Sequence, residues 1–201
     1  MKIAVLGAGA WGTALASVYA KRHAVTLWTR NAQQIATIAA ARENLRYLPG
    51  FALPESLKYS SDLNQAIAGA DLLLAVVPSS GLRALLERLT LDGNRAPVIW
   101  ACKGLEPGSA KLLHQVAAET LPEHVARGVL SGPSFAQEVA RGLPCALTLA
   151  AHDAAFAHQA AADLHDHHLR VYSSTDVVGV ELGGAVKNVM AIAAGISDGL
   201  G

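Results

Sequence analysis

The stretch Ile3–Gly12, IAVLGAGAWG, decides the fold. Its apolar opening, Ile3–Leu6, reads as a short strand, and Ala10–Lys21 reads as the helix that follows. Between them Gly7, Gly9 and Gly12 form a G-x-G-x-x-G pattern. The three glycines serve different ends. Gly7 permits a tight turn, Gly9 lets a pyrophosphate approach the backbone, and Gly12 allows close helix–strand packing. The N-terminus of the helix then offers free N–H groups and a partial positive charge to phosphates. The pattern alone is a weak signal. After a strand and at the mouth of a helix it reads as a dinucleotide site.

The same rhythm continues outward. Val25–Trp28 reads as the second strand and Asn31–Ala41 as a helix capped by Asn31. Leu72–Val77, bounded by Asp71 and Pro78, is a continuous apolar run of the kind buried on both faces of a sheet. Further strands are expected at Pro97–Ala101, Gly128–Ser131, Cys145–Ala150 and Arg170–Tyr172. Helices are expected at Leu82–Leu89, Ser109–Glu119, Phe135–Ala140 and Asp153–His165. Strands alternating with helices predict an α/β fold with a doubly wound, mainly parallel Rossmann-type sheet. Near Asp176 the composition turns rich in glycine and alanine. Residues 1–175 are therefore expected to form the dinucleotide-binding domain, and 176–201 the first helix of a second domain.

Composition narrows the function. Hydrophobic residues make up 52% of the 201, which is enough for a substantial core and argues against disorder. Sixteen basic residues balance sixteen acidic ones, so no nucleic-acid or anionic-membrane surface is expected. Cys102 and Cys145 lack zinc-ligand spacing and are expected as buried, reduced thiols. The N-terminus has no signal-peptide pattern, which points to the cytoplasm. The apolar run Leu182–Ile196 contains Lys187, Asn188 and glycines, and reads as a buried helix rather than a membrane span. His165, His167 and His168 cluster without a defined ligand spacing and read as a solvated helix end.

Four features carry chemistry. The second strand ends Leu27-Trp28-Thr29-Arg30-Asn31, with no acid for a free ribose 2′-OH. Arg30 can pair with a 2′-phosphate, favouring NADP(H) with NAD(H) as the alternative; its plain reading is an exposed loop arginine. Lys103, in Trp100–Leu105, lies past the carboxyl end of a strand, where open α/β sheets bind ligands, or is an ordinary surface lysine. Ser131–Ala136, SGPSFA, opens another helix and offers N–H groups and hydroxyls to an anion, or Ser134 simply caps that helix. Lys187 stands in VVGVELGGAVKNVMAIAAGISDGLG, where little would solvate an ammonium. A buried lysine amine shifts toward neutrality and can exchange protons with a substrate. The competing reading is a stem that packs while its head reaches water.

In order along the chain, GAGAWG, AVVPS, ACKGLE, SGPSFAQE, RVYSSTDVVGVELGGAVKN and AAGISDGLG give a set that resembles the bacterial NAD(P)-dependent glycerol-3-phosphate dehydrogenases from Met1 to Gly201. The resemblance implies reversible reduction of dihydroxyacetone phosphate to sn-glycerol 3-phosphate in glycerophospholipid precursor synthesis. It implies that Gly7, Gly9, Ala10, Trp11, Gly12, Arg30, Tyr47, Lys103 and Ala136 bind cofactor. Lys103, Gly132, Ser134 and Lys187 would bind substrate. Lys187 would be the proton donor and acceptor, with Lys103 beside it as a second catalytic cation. It implies a small-molecule substrate, no metal, no nucleic acid and no membrane insertion, and leaves room for a homodimer at full length.

The resemblance makes 176–201 the first helix of a truncated all-α second domain, because the family's second, helical domain supplies an Asp and a Ser/Thr-Arg-Asn segment that this sequence does not contain. These 201 residues are accordingly expected to bind cofactor but to be weak or inactive as a catalyst, with an uncovered apolar helix. Two other functions fit the residues less fully. A dinucleotide-sensing module would not need Lys187, and a dehydrogenase of another hydroxy acid would not need SGPSFA together with GGAVKN.

Overall fold

The structure is a computed structural model that describes residues 1–200, apart from the side chains of Asn188 and Val189. Gly201, the last residue of the expected second unit, and the Asn188 side chain of GGAVKN lie outside the described residues. The chain opens as its sequence predicts, with β1 (Lys2–Leu6), α1 (Ala10–Tyr19), β2 (Ala24–Trp28) and α2 (Ala32–Ala41). Asn31 caps α2, its side-chain oxygen accepting from the Gln34 amide at 2.9 Å.

The next segment departs from expectation. β3 (Glu43–Asn44), β4 (Leu48–Ala52), β5 (Lys58–Ser60) and α3 (Leu63–Ile67) are too short to show periodicity. Then come β6 (Leu72–Ala75), α4 (Ser79–Leu91), β7 (Val98–Trp100), α5 (Leu113–Thr120), β8 (Arg127–Ser131), α6 (Ala136–Ala140), β9 (Cys145–Ala150), α7 (Ala154–Leu164), β10 (Leu169–Ser174) and α8 (Val177–Leu200). Helix α5 starts at Leu113 rather than Ser109. Gly108 and Ala110 both hold positive φ, which no helix tolerates, so the chain turns there instead.

The main sheet has eight strands in the order β10-β9-β8-β7-β6-β1-β2-β5, and only the β8–β9 pair is antiparallel. From β1 the chain builds outward through β2 to β5, then crosses back to lay β6 on the other flank of β1. The order reverses between β1 and β6, and the carboxyl edge there is where such sheets hold ligands. Alternation along these strands builds two cores. Ile3, Val5, Leu72 and Leu74 face one helical layer, while Ala4, Leu6, Leu73 and Ala75 face the other. Each fully buried leucine contributes roughly 1.5–3 kcal/mol of transfer free energy.

Helix α8 is only partly a core helix. Val177 is buried, and Val180 packs against the same core. Leu182 is exposed, and from Met190 to Leu200 every residue is exposed. This corrects the reading of Leu182–Ile196 as buried, because its first turns rest on the sheet and the rest runs past the edge. By length and composition alone α8 could span a membrane. Cys102 is buried as expected, but Cys145 is only partly so; both are free thiols.

Candidate functional site

The glycine turn is built by crowding. Gly7 has φ +131°, and a Cβ there would overlap the Val76 carbonyl. A Cβ on Gly12 would overlap the Gly7 carbonyl, so helix and turn touch backbone to backbone. Gly9 differs from both. A Cβ there would meet nothing within 4 Å, so no protein contact requires a glycine. What its missing side chain leaves is open space on the wall of a cleft, which fits a dinucleotide pyrophosphate. Gly9 is also the N-cap of α1 and brings no capping side chain, so the first amides of α1 are available to phosphate oxygens.

That cleft has a volume of about 840 Å³ and lies at the strand-order reversal. Its walls come from Gly7–Gly9 after β1, Trp28–Arg30 after β2, and Val76–Pro78 after β6. Arg30 is exposed there, and no acid follows β2. Tyr47 also lines the cleft, under the Arg46 guanidinium at 5.0 Å. The structure thus brings Gly7, Gly9, Arg30 and Tyr47 to one cleft, with Ala10 at the start of α1. Trp11 and Ala136 are partly buried and pack against the core instead.

Two polar side chains that sequence reasoning missed hold the turn. The Ala8 carbonyl accepts from Gln34 Nε2 at 2.8 Å and from Asn44 Nδ2 at 3.0 Å. Asn44 is buried and also donates to Thr13 Oγ1 at 2.8 Å, tying the β3–β4 hairpin to α1. The signal was present in ENLRYLPG, but an asparagine beside an acid reads there as an ordinary turn residue.

A second, smaller cavity of about 270 Å³ lies between the Ser131–Pro133 loop and α8, and Lys187 lines it. Both lysines reach the same loop. Lys103 Nζ donates to the Gly132 carbonyl at 3.0 Å, and Lys187 Nζ donates to the Ser134 carbonyl at 3.3 Å. The Lys187 ammonium also sits 4.4 Å from the centre of the Phe135 ring, a cation–π contact. Lys187 is therefore half-buried with partners, not an unsolvated amine in an apolar helix. Burial first, and then the adjacent Lys187 charge, hold the Lys103 amine below the usual lysine range.

Ser134 does not cap α6; Phe135 occupies the N-cap position without a side-chain bond. The Ser134 Oγ is buried and has no hydrogen-bond partner among the described residues. A buried hydroxyl left unpaired is costly, so this one is suited to receive an oxygen from a ligand. Gly132 has a packing reason as well: a Cβ there would lie 2.7 Å from the Ala146 carbonyl. His165, His167 and His168 are exposed at the end of α7.

Comparison with known proteins places these features in a family. Residues 2–157 match the model of the NAD-dependent glycerol-3-phosphate dehydrogenase N-terminus, and residues 176–201 match that of its C-terminus. The chain is 58% identical over 200 residues to a glycerol-3-phosphate dehydrogenase (NAD(P)+) of Thiobacillus denitrificans and 54% identical over 201 residues to that of Dechloromonas aromatica. Both alignments cover 100% of this chain and 61% of the relative, so the chain spans about three fifths of their length. A crystal structure of the Coxiella burnetii glycerol-3-phosphate dehydrogenase superposes with a TM-score of 0.89 at 43% identity, covering 99% of this chain and 61% of that one. An imine reductase of Myxococcus stipitatus, 15% identical with a TM-score of 0.65 over 100% of this chain and 63% of that one, shares the fold alone.

Proposed function

The chain belongs to the NAD-dependent glycerol-3-phosphate dehydrogenase family, and on that premise we propose that it reduces dihydroxyacetone phosphate to sn-glycerol 3-phosphate, a glycerophospholipid precursor, in the cytoplasm. The observation that carries this reading is the convergence of two lysine amines on one loop, Gly132–Ser134, beside a cleft built for a dinucleotide. A bound nicotinamide would supply the hydride. The protein's own residues supply position and charge.

Gly9 and Ala10 hold the pyrophosphate at the start of α1, in the turn that Gly7 and Gly12 shape by close backbone packing, with Trp11 in the same turn. Arg30 and Tyr47 flank the adenosine side, and Arg30 tilts the preference toward NADP(H). Ala136 stands on the nicotinamide side. Reduction of the ketone places negative charge on its oxygen, so two nearby ammonium groups lower the barrier electrostatically. Lys187 then donates the proton, and in the reverse direction its neutral amine accepts one. Lys103 holds substrate and cofactor together, and Ser134 Oγ and the Gly132 backbone receive the substrate.

We take residues 1–175 as the dinucleotide-binding unit and 176 onward as the start of a second unit. The apolar surface of α8 around Lys187 is open to water, with Val186 and Met190 exposed. Water there weakens every electrostatic interaction, so we expect the described residues alone to bind cofactor without efficient turnover.

The test is NADPH oxidation by the full-length protein with dihydroxyacetone phosphate. The expected result is substrate-dependent oxidation that falls by about 10²–10⁴-fold in Lys187→Ala. Oxidation indifferent to the ketone, or an unchanged Lys187→Ala rate, overturns the proposal.

A further inference from the structure

Between β7, α5 and α8 lies a buried polar cluster with no part in the site described so far. Glu181, on the second turn of α8, is 6% exposed. Both of its carboxylate oxygens are engaged. Oε1 accepts from Trp100 Nε1 at 2.9 Å, and Oε2 lies 2.7 Å from His114 Nδ1. A carboxylate oxygen can only accept, so this contact is a hydrogen bond in the His114 tautomer with its proton on Nδ1. Trp100 ends β7, three residues before Lys103, and His114 stands in the first turn of α5.

One turn further along α8, Gly184 makes a second close approach. A Cβ there would lie 2.6 Å from Ser131 Oγ and 3.7 Å from Lys103 Cγ. Lys187 follows three residues later, a neighbour of Gly184 on the helix surface. A helix held at one point can turn about its axis. Held at Glu181 by two hydrogen bonds and crowded at Gly184 by the Ser131 side chain, α8 is restrained in this rotational setting at two points along its axis. That setting puts the Lys187 amine on the Ser134 carbonyl and over the Phe135 ring.

We propose that Glu181 is a positioning residue: its buried bonds to Trp100 and His114 fix the rotation of α8 and so aim Lys187 at the loop shared with Lys103. This rests on the function proposed above for its catalytic consequence, but not for its geometry. A plain core role would predict general loosening when Glu181 is lost. A positioning role predicts a selective loss at Lys187, because Lys103 reaches the same loop from β7 and not from α8.

The experiment measures two things on the full-length protein. The first is the rate of amine modification by acetic anhydride at Lys187 and Lys103, read by mass spectrometry. The second is kcat with NADPH and dihydroxyacetone phosphate, beside the NADPH Kd. In Glu181→Ala we expect Lys187 to be modified faster and Lys103 no faster, because withdrawing the Lys187 charge leaves the Lys103 amine more fully protonated. The NADPH Kd should hold while kcat falls on the order of 10²-fold, the cost of a misplaced catalytic group. Glu181→Gln keeps an acceptor for Trp100 and a donor for the other His114 tautomer, and should restore most of the rate and the protection of Lys187.

Equal acceleration at both lysines, or no change at Lys187, overturns the proposal. Should Glu181→Ala fail to bind NADPH, His114→Ala cuts one of the two bonds at a less buried position and is judged by the same selective exposure of Lys187. A wild-type protein that does not oxidise NADPH with the ketone would sink the proposed function, and the modification rates would still decide the role of Glu181.

Discussion

The three glycines of one turn separate folding from binding. Gly7 and Gly12 are packed against backbone, whereas Gly9 faces open space. Alanine at Gly12 should destabilise the fold by about 1–3 kcal/mol, the ordinary cost of overpacking. Alanine at Gly9 should leave thermal stability almost unchanged and weaken NADPH binding, which a melting curve paired with a fluorescence titration will read. A destabilised Gly9→Ala variant with normal affinity would contradict the division of labour. The sequence could show the glycines but not this difference, because spacing says nothing of which atoms stand opposite each Cα. The lysines carry the same lesson. The apolar surroundings of Lys187 raised it as a candidate buried amine, with a packed stem as the alternative; in the structure burial holds the amine of Lys103, at a strand end, below the usual lysine range, while Lys187 stands on a half-covered helix. That depression has a testable sign. A lysine held below its unfolded value is charged only at a cost in the native state, so the native state sheds its proton first. Stability should rise with pH between the depressed folded value and the unfolded one near 10.4. The melting-temperature difference between Lys103→Met and wild type should therefore shrink as pH rises through that window; a constant difference would count against burial as the cause.

At the scale of elements, long periodic segments were legible and short polar ones were not. β1, α1, β2 and α2 follow their patterns because each buries an apolar face, while β5 is set by pairing with the distant β2 and the short β3–β4 hairpin is tied through Asn44 to Ala8 and Thr13. The loop after Lys103 is a case of the second kind. Arg83 on α4 donates from Nε and Nη2 to the two oxygens of Glu106, at 2.7 and 2.9 Å, and from Nη2 to Glu119 on α5 at 2.8 Å. Ser109 Oγ joins at 2.5 Å and Lys111 pairs with Glu119. This fork–fork clamp ties the strand-end loop to two helices. Hydrogen bonds from Arg83 and Ser109 hold the Glu106 carboxyl down to about 2. A carboxyl depressed in the folded state stabilises at pH above its unfolded value, and that stabilisation is lost as pH falls through the folded one. Arg83→Met should accordingly lower the melting temperature near neutrality, and its gap from wild type should close between pH 4.5 and about 2. A gap that persists at the acid end would show that Arg83 acts through packing of its stem instead. In the same variant kcat should fall more than the NADPH affinity, since the loop carries Lys103 and not the glycine turn.

On the scale of the whole molecule, the loops that bear the site leave one carboxyl edge of the sheet, and one helix packs beside them. The strand-order reversal gathers the loops after β1, β2 and β6 into one cleft, while β7 and β8 deliver Lys103 and the Gly132–Ser134 loop beside it. Such a cleft is assembled only in the folded chain, so a dinucleotide binds the native state and not the unfolded one. Binding must then raise stability by RT ln(1 + [L]/Kd), about 2.7 kcal/mol at a hundredfold excess over Kd. For a domain of this size that corresponds to a rise of roughly 5–10 °C in melting temperature. The choice between NADPH and NADH is a difference between two such rises. On the function proposed above, Arg30, exposed on the cleft wall with no acid after β2, would pair with a 2′-phosphate. At equal concentration NADPH should shift the melting temperature further than NADH. Arg30→Ala should remove the excess while leaving the NADH shift in place. Equal shifts in the wild-type protein would place the selectivity elsewhere on the cleft, and Arg88, which lines the same wall but is paired with Asp92, would be the next residue to change.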